Sequence, residues 1–372
     1  MTARIALLTT NLARGGAETQ VALLAAGLGR RNWDVSVVSL VKPTAFEAEL
    51  AAESIPVYSL DMQPGVWNPL GLARLAVILR KLRPQILHGH MFHANLLARL
   101  SRLLFPLPVV VSTLHSAAET SRRSSQMRWR DSAYRLTDGL GDLTVAVSEA
   151  VAARHIGAKA VPARKLRVIP NGVDTSRFRP DAARRQTSRS LLGLGNQFTW
   201  LAVGRLMWKK GYGPLIHAFA GLGQGILLVA GAGPQETELV ELASELGTNV
   251  RFLGQRADIE DLMPAADAFV QASLVEGMPV SLLEAASCGL PSVTTAAGGA
   301  AEVVSDGRTG YVVPPGNAEA LAAAMSRLMS LPADERLSMG LAARRHVVEH
   351  YEAAAMLTRW EQLYEELLAR WT

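Results

Sequence analysis

Glu276-Gly-Met-Pro-Val-Ser-Leu-Leu-Glu284 puts two carboxylates into one short run. Such a pair can work as general acid and base, or it can accept hydrogen bonds from two diols; spacing alone allows both. Pro279 suits the first turn of a helix that runs on through Leu282, Leu283 and Ala285. That predicts Glu276 in the loop before the helix and Glu284 about two turns inside it. The amides of Val280 and Ser281 would then point at an anion near the helix start. A second run, Val203-Gly-Arg-Leu-Met-Trp-Lys-Lys-Gly211, carries Arg205 and Lys210. Arginine can clamp phosphate oxygens bidentately and lysine adds a point charge, so two cations can stabilise a departing diphosphate without a metal. The competing reading is surface charge on a loop.

A third run, Asn11-Leu-Ala-Arg-Gly-Gly-Ala-Glu-Thr19, follows a first apolar stretch and opens a helix. Gly15 and Gly16 let backbone approach a ligand closely, and the helix start presents unpaired N–H groups. It is not G-x-G-x-x-G, so the dinucleotide fingerprint is absent, and a plain turn competes with a binding loop. His88, His90 and His93 invite a metal, but no carboxylate lies close by in sequence. We therefore expect ligand contact from these histidines, and neither a metal nor another cofactor. Ser121-Arg-Arg-Ser-Ser-Gln-Met-Arg-Trp-Arg130 adds four arginines with Met127 and Trp129, which reads as a membrane-facing stretch or as a solvated helix.

These residues need a scaffold. Short β-rich runs alternate with helical patterns such as Ala17–Arg30 and Leu70–Leu82. Strands are expected at Ile5–Thr10, Val35–Leu40, Val57–Leu60, Ile86–His90, Val109–Thr113, Thr144–Ser148 and Arg167–Ile169. The rhythm restarts at Thr199–Val203, Ile226–Ala230, Val250–Leu253, Ala268–Gln271, Ser292–Thr295 and Tyr311–Val313. Between the halves, Pro170, Asn171 and Gly172 break the pattern and Pro180 closes the break. The result is two α/β domains with parallel sheets, over residues 1–172 and 173–349, with ligands in a cleft at the strand ends. From about His346 the chain reads as one or two amphipathic helices, with Tyr351, Trp360, Leu363, Tyr364 and Leu367 as a core stripe.

The 372 residues are 49% hydrophobic and 19% charged, a globular composition. A single cysteine, Cys288, excludes an internal disulfide framework and favours a reducing compartment. The apolar start is too short for a signal peptide, and the two longest uncharged stretches, Leu103–Ala118 and Ala285–Ala301, are broken by Pro or Gly. We expect a cytoplasmic protein, at most peripheral to the inner face of a membrane. The net charge of +5 hides an asymmetry: residues 1–172 hold 21 Lys/Arg against 11 Asp/Glu, the remainder 17 against 22. A basic front half suits an anionic partner such as phospholipid, a diphosphate-linked lipid or nucleic acid, or is simply solvated.

The motifs in order carry a resemblance. GGAE, HGHMFHAN (His88–Asn95), STLH (Ser112–His115), AVSEAV (Ala146–Val151) and IPNGVD (Ile169–Asp174) fill the first half. VGRLMWKKG, GAGP (Gly231–Pro234), FLG (Phe252–Gly254), EGMPVSLLE and AGGAAEVVSDGRTGYVVPP fill the second. Together they resemble glycosyltransferase family 4 over nearly the whole chain. The resemblance implies the GT-B fold, two Rossmann-like domains facing a cleft, with a C-terminal helix (about 350–372) returning to the first domain. It implies retaining transfer from a nucleotide diphosphate sugar, a UDP-sugar before GDP-mannose, to a glycan or lipid-linked acceptor in polysaccharide biosynthesis. His115, Arg205, Lys210 and Glu276 would carry catalysis. Gly15, Gly16, Leu253, Met278, Val280, Ser281, Leu282 and Glu284 would bind the donor, with Glu284 on the ribose and Leu253 at the base. His90, His93, Asn95, Arg122 and Arg123 would lie on the acceptor side. Many relatives have glycine where this chain has Pro279, which lacks an N–H, so sugar preference is open. A nucleotide-sugar epimerase or a phosphorylase on the same fold, and a non-enzymatic sugar-nucleotide or RNA-binding protein, are the alternatives. No RNA motif is present, and no nucleic acid is expected.

Overall fold

The computed structural model describes residues 3–63, 69–116 and 124–371. They divide into two compact units, residues 1–171 with 354–372 and residues 172–353. In the first, seven strands form one parallel sheet: β1 (Arg4–Thr9), β2 (Asp34–Ser39), β3 (Val57–Ser59), β4 (Ile86–His90), β5 (Val109–Leu114), β6 (Leu143–Ala146) and β7 (Leu166–Val168). Their order is β3-β2-β1-β4-β5-β6-β7. In the second unit, six more form another: β8 (Thr199–Val203), β9 (Ile226–Ala230), β10 (Val250–Phe252), β11 (Ala268–Gln271), β12 (Ser292–Thr295) and β13 (Gly310–Val313). These run β10-β9-β8-β11-β12-β13. Every expected strand is present, with ends shifted by a residue or two at most.

Both faces of the first sheet are covered, which is why its strands read as continuous apolar runs. Ile5 and Leu7 face one core, with Val21, Leu24 and Leu28 of the helix Gly16–Arg30. Ala6 and Leu8 face the other, with Leu75 and Leu79 of the helix Pro69–Leu82 and Leu97 of the helix Phe92–Ser101. The first core is completed by the helix Ala353–Ala369, through Leu357, Trp360, Leu363, Tyr364 and Leu367. Gly27 permits this, because a Cβ there would stand 2.3 Å from Leu357 Cδ1. Glu361, midway along this helix, accepts from Trp33 Nε1 at 3.0 Å and pairs with Arg31, which ties the helix to the turn after Gly16–Arg30. Tyr351, 8% exposed, lies at the break between the helix Ala333–His350 and this last one, so it packs in the second unit and not in the aromatic stripe.

In the second unit, Trp200, Ala202, Leu227, Val229 and Val270 pack on Leu215, Ile216 and Phe219 of the helix Tyr212–Ala220. The loops at the strand ends are drawn together by glycine. Gly211 has φ +67°, and a Cβ there would stand 2.0 Å from the carbonyl oxygen of Ala272. No described helix is long and apolar enough to cross a membrane.

Candidate active site

In the second sheet the strand order reverses between β8 and β11, where open sheets of this kind take ligands. Glu276 follows β11 and is 8% exposed. Its Oε1 accepts from Lys210 Nζ at 2.5 Å, Ser273 Oγ at 2.7 Å and Gln271 Nε2 at 3.3 Å. Lys210 ends the short turn Trp208–Lys210 after β8. Three donors on one oxygen hold the carboxylate rigidly and leave Oε2 for a further partner. A buried ion pair of this kind is costly to break from one side, about 3–5 kcal/mol. Arg205, next to Gly204 at the end of β8, is exposed. The loop's shape is set by Tyr212, whose hydroxyl donates to the Gly204 carbonyl at 3.0 Å; burial raises that phenol's pKa.

The helix carrying the second carboxylate is Val280–Ser287, capped by Pro279 in an extended conformation. Pro279 therefore stands before the helix, not in its first turn, and Glu284 lies only about one turn inside it. Glu284 is half-buried, and burial raises its carboxyl to about 8, with Arg177 opposing and Glu260 reinforcing the rise. Arg177 itself pairs with Glu260, Nε to Oε1 at 3.0 Å. Val280 and Ser281 occupy the first two helical positions, whose amides have no intrahelical acceptor. Leu282 is different: its side chain is fully buried and its amide donates to the Pro279 carbonyl at 3.2 Å, so it has nothing to offer a ligand. Met278 is 4% exposed and Leu253 partly exposed just beyond β10.

In the first unit, Gly15 caps the helix Gly16–Arg30, and both glycines are exposed. Glu18 Oε2 lies 2.5 Å from where a Gly15 Cβ would be, so an anion at this helix start competes with a resident carboxylate. At the ends of β4 and β5, His90 Nδ1 and His115 Nε2 lie 3.1 Å apart. His88 stacks on His90 with ring centroids 3.9 Å apart, and bonds Tyr364 Oη at 2.7 Å and Thr113 Oγ1 at 2.6 Å. Burial lowers the pKa of all three, that of His115 to about 4. His93 is exposed at the start of the helix Phe92–Ser101, its ring against Phe92. Among the described residues no three His, Cys, Asp or Glu gather as a metal site.

Asn95 keeps one polar atom without a partner among the described residues, its buried Oδ1. It is fully buried, and its Nδ2 donates to the Thr113 carbonyl and to Tyr134 Oη at 2.9 and 3.0 Å. Gly89 makes room for it, since a Cβ there would stand 2.8 Å from Asn95 Oδ1. Arg122 and Arg123 lie outside the described residues. Ser273 and Gln271 escaped sequence reasoning, although a glutamine closing the apolar run of β11 was a visible clue. So did Arg99, 1% exposed, which donates to Ser112 Oγ and Thr144 Oγ1 beneath the first sheet.

Two family profiles match. Residues 14–177 match the one described as Glycosyltransferase Family 4, and residues 184–346 the one described as Glycosyl transferases group 1. The chain belongs to glycosyltransferase family 4. A GDP-mannose-dependent alpha-(1-6)-phosphatidylinositol monomannoside mannosyltransferase of Mycolicibacterium smegmatis is 34% identical to this family 4 chain, over 56% of it and 58% of the relative. The Mycobacterium tuberculosis counterpart is 32% identical over 63% and 62%. These matches thus span about three-fifths of the relatives' length. The UDP-Gal:alpha-D-GlcNAc-diphosphoundecaprenol alpha-1,3-galactosyltransferase of Escherichia coli is 28% identical over 80% and 79%. Among solved structures, Anabaena HepE in complex with UDP and glucose superimposes with a TM-score of 0.86 at 24% identity, over 98% and 100% of the chains. Sucrose-phosphate synthase of Thermosynechococcus elongatus gives 0.86 at 23%, over 99% and 100%. The family 4 chain therefore has the GT-B fold.

Proposed function

We propose that this protein is a retaining glycosyltransferase that moves a hexosyl group from a nucleotide diphosphate sugar to a glycan or lipid-linked acceptor. The observation that carries the proposal is the Lys210–Glu276 pair at the β8/β11 reversal, with exposed Arg205 beside it. Arg205 and Lys210 supply positive charge for a diphosphate, and Oε2 of Glu276 accepts from a sugar hydroxyl. Glu284, once ionised, accepts from the ribose diol. Gly16 and His115 keep the donor-side roles the family implies. In the transfer, the bond from the anomeric carbon to the β-phosphate oxygen breaks and its electron pair leaves with the nucleotide. The acceptor oxygen bonds to the same face, and its proton passes to the departing phosphate. The protein's share is positioning and charge stabilisation.

A UDP-sugar is our first donor, supported by the galactosyltransferase that matches most of the chain, with GDP-mannose next, supported by the mannosyltransferases. Those relatives' names also carry lipid-linked acceptors, which suits the basic first half and a site at a membrane surface. Melting the protein with a panel of nucleotide sugars and assaying donor consumption with lipid-diphosphate acceptors tests the reading. A shift and turnover with one donor class are expected; no shift and no turnover with any of them would overturn it.

A further inference from the structure

The chain after residue 172 is net acidic, with 17 basic against 22 acidic side chains, yet one cavity of the second unit is lined mainly by cations. It encloses about 230 Å³, between the turn Ser305–Thr309 that enters β13 and the last two turns of the helix Ala333–His350. The turn contributes Arg308, and the helix contributes Arg345, His346 and His350. The turn stands at the amino end of β13, whereas Glu276 follows the carboxyl end of β11. Strands β11, β12 and β13 are parallel, so the cavity and the candidate active site lie at opposite ends of the sheet. Other arginines of this unit are spent on carboxylates: Arg177 on Glu260, Arg184 on Asp261, Arg185 and Arg189 on Asp267, Arg256 on Asp258. Arg308 and Arg345 are exposed, and among the described residues neither guanidinium has an ion pair or a hydrogen bond. The turn's own carboxylate, Asp306, is directed at the Val312 amide, from which it accepts at 2.9 Å. Cations gathered round a hollow without a counter-charge attract an anion.

We propose that Arg308, Arg345, His346 and His350 form a binding site for a phosphate dianion, free or as a monoester, and that His346 takes up a proton when the anion binds. His346 Nε2 lies 3.3 Å from the Glu302 carbonyl, which also accepts from Tyr351 Oη at 2.9 Å. A carbonyl only accepts, so Nε2 carries the ring's proton and Nδ1 is the nitrogen left for a ligand. In the neutral ring Nδ1 is a lone pair that repels an oxyanion; in the charged ring it donates. Without an anion the ring resists charging: partial burial, His350 and Arg308 oppose it, against the Glu302 carbonyl and Glu349, which favour it. A dianion in the cavity reverses that balance. The last turn of a helix favours a charged imidazole but not an anion, so the anion is held by side chains and not by backbone. Guanidinium forks suit the oxygens of a phosphate better than a spherical ion. The one carboxylate in the cavity's lining is Glu349, 3.9 Å from His350 Nε2; its side chain is 73% exposed and free to turn into water. The site does not rest on the proposed transfer reaction.

The test titrates the full chain, carrying ¹⁵N-labelled histidine, with inorganic phosphate at constant ionic strength. Saturable shifts of the His346 and His350 rings are expected. Arg308→Gln combined with Arg345→Gln should weaken binding about 10-fold or more, the worth of a hydrogen bond to a charged group. Glu349→Gln should tighten it about 2- to 5-fold, since a surface charge of the anion's own sign is removed. All three side chains are exposed, so melting temperatures should stay near that of the wild type. Arg205→Gln should leave the two histidine shifts intact, which separates this site from the candidate active site. Sulfate, a dianion across the imidazole range, reads the proton: its affinity should be higher at about pH 6 than at about pH 8. Glycerol 3-phosphate and vesicles of phosphatidylcholine with phosphatidic acid distinguish the source. Shifts with the soluble ester assign a free phosphate compound, and vesicle binding that the double arginine variant loses assigns a lipid headgroup. Histidine signals that move no more with phosphate than with chloride, or shifts that survive loss of both arginines, overturn the site. Equal sulfate affinity at the two pH values overturns the proton uptake.

Discussion

Lys210 and Glu276 depend on each other more than their sequence separation suggests. Lys210→Ala leaves Glu276 with Ser273 and Gln271 as donors but no cation, so we expect both a stability loss of about 3 kcal/mol and loss of transfer. Lys210→Ala combined with Glu276→Gln should regain most of the stability and none of the activity, which denaturant melts and a donor-consumption assay would check. Glu284 titrates in a useful range. Its folded pKa of about 8 exceeds the unfolded 4.5, so the folded state holds a proton that the unfolded chain has lost between these values. The carboxyl's contribution to stability is therefore complete below about 4.5, falls as pH rises, and is flat above about 8. Glu284→Gln should abolish that part of the slope in denaturant melts across this range. Because a ribose diol prefers the carboxylate, nucleotide binding at neutral pH should release a proton. Calorimetry in buffers of different ionisation heat reads this directly, and a buffer-independent enthalpy would count against Glu284 as the ribose acceptor.

At the scale of elements, two close approaches set the architecture. Gly211 combines a left-handed φ with a carbonyl contact no Cβ can share, so Gly211→Ala should displace the Lys210 turn. We expect transfer to fall more than 100-fold, with a stability loss of about 1–3 kcal/mol measured by thermal melting. The last helix is the other case. Trp360 and Leu363 are 5% and 3% exposed in the first core, and Trp360→Ala should cost about 3–5 kcal/mol. Since Tyr364 of that helix bonds His88, the damage should also appear in the His90 and His115 ring signals. Strands were legible from sequence because both sheet faces are buried and runs such as Ile5–Thr10 and Ile226–Ala230 are largely apolar. The start of the Val280–Ser287 helix was not, because proline is equally at home in the first turn and just before it; only its extended backbone shows which. Asn95 was read as acceptor-side, yet it is fully buried, because a polar residue near a strand end looks the same whether it points into the core or away from it.

For the whole molecule, the charge asymmetry is the property that a surface would sense. The first 172 residues hold 21 basic and 11 acidic side chains. If that excess meets an anionic bilayer, the full chain should sediment with vesicles containing phosphatidylglycerol, less so as salt rises, and not with neutral vesicles. Equal, negligible binding to both would leave the basic half as a solvated surface.

The sequence by itself determined the two parallel sheets, their order along the chain, the family and the glycine-rich turns. Local pattern suffices for these, because periodicity and backbone freedom act over a few residues. Tertiary structure alone decided which polar groups meet: Lys210 with Glu276 across 66 positions, His90 with His115 across 25, His88 with Tyr364 across 276. It also placed Leu282 and Asn95 in the interior and Arg205 at the surface. Partners so far apart in sequence are joined only by strand order and helix packing, and no spacing rule encodes that distance.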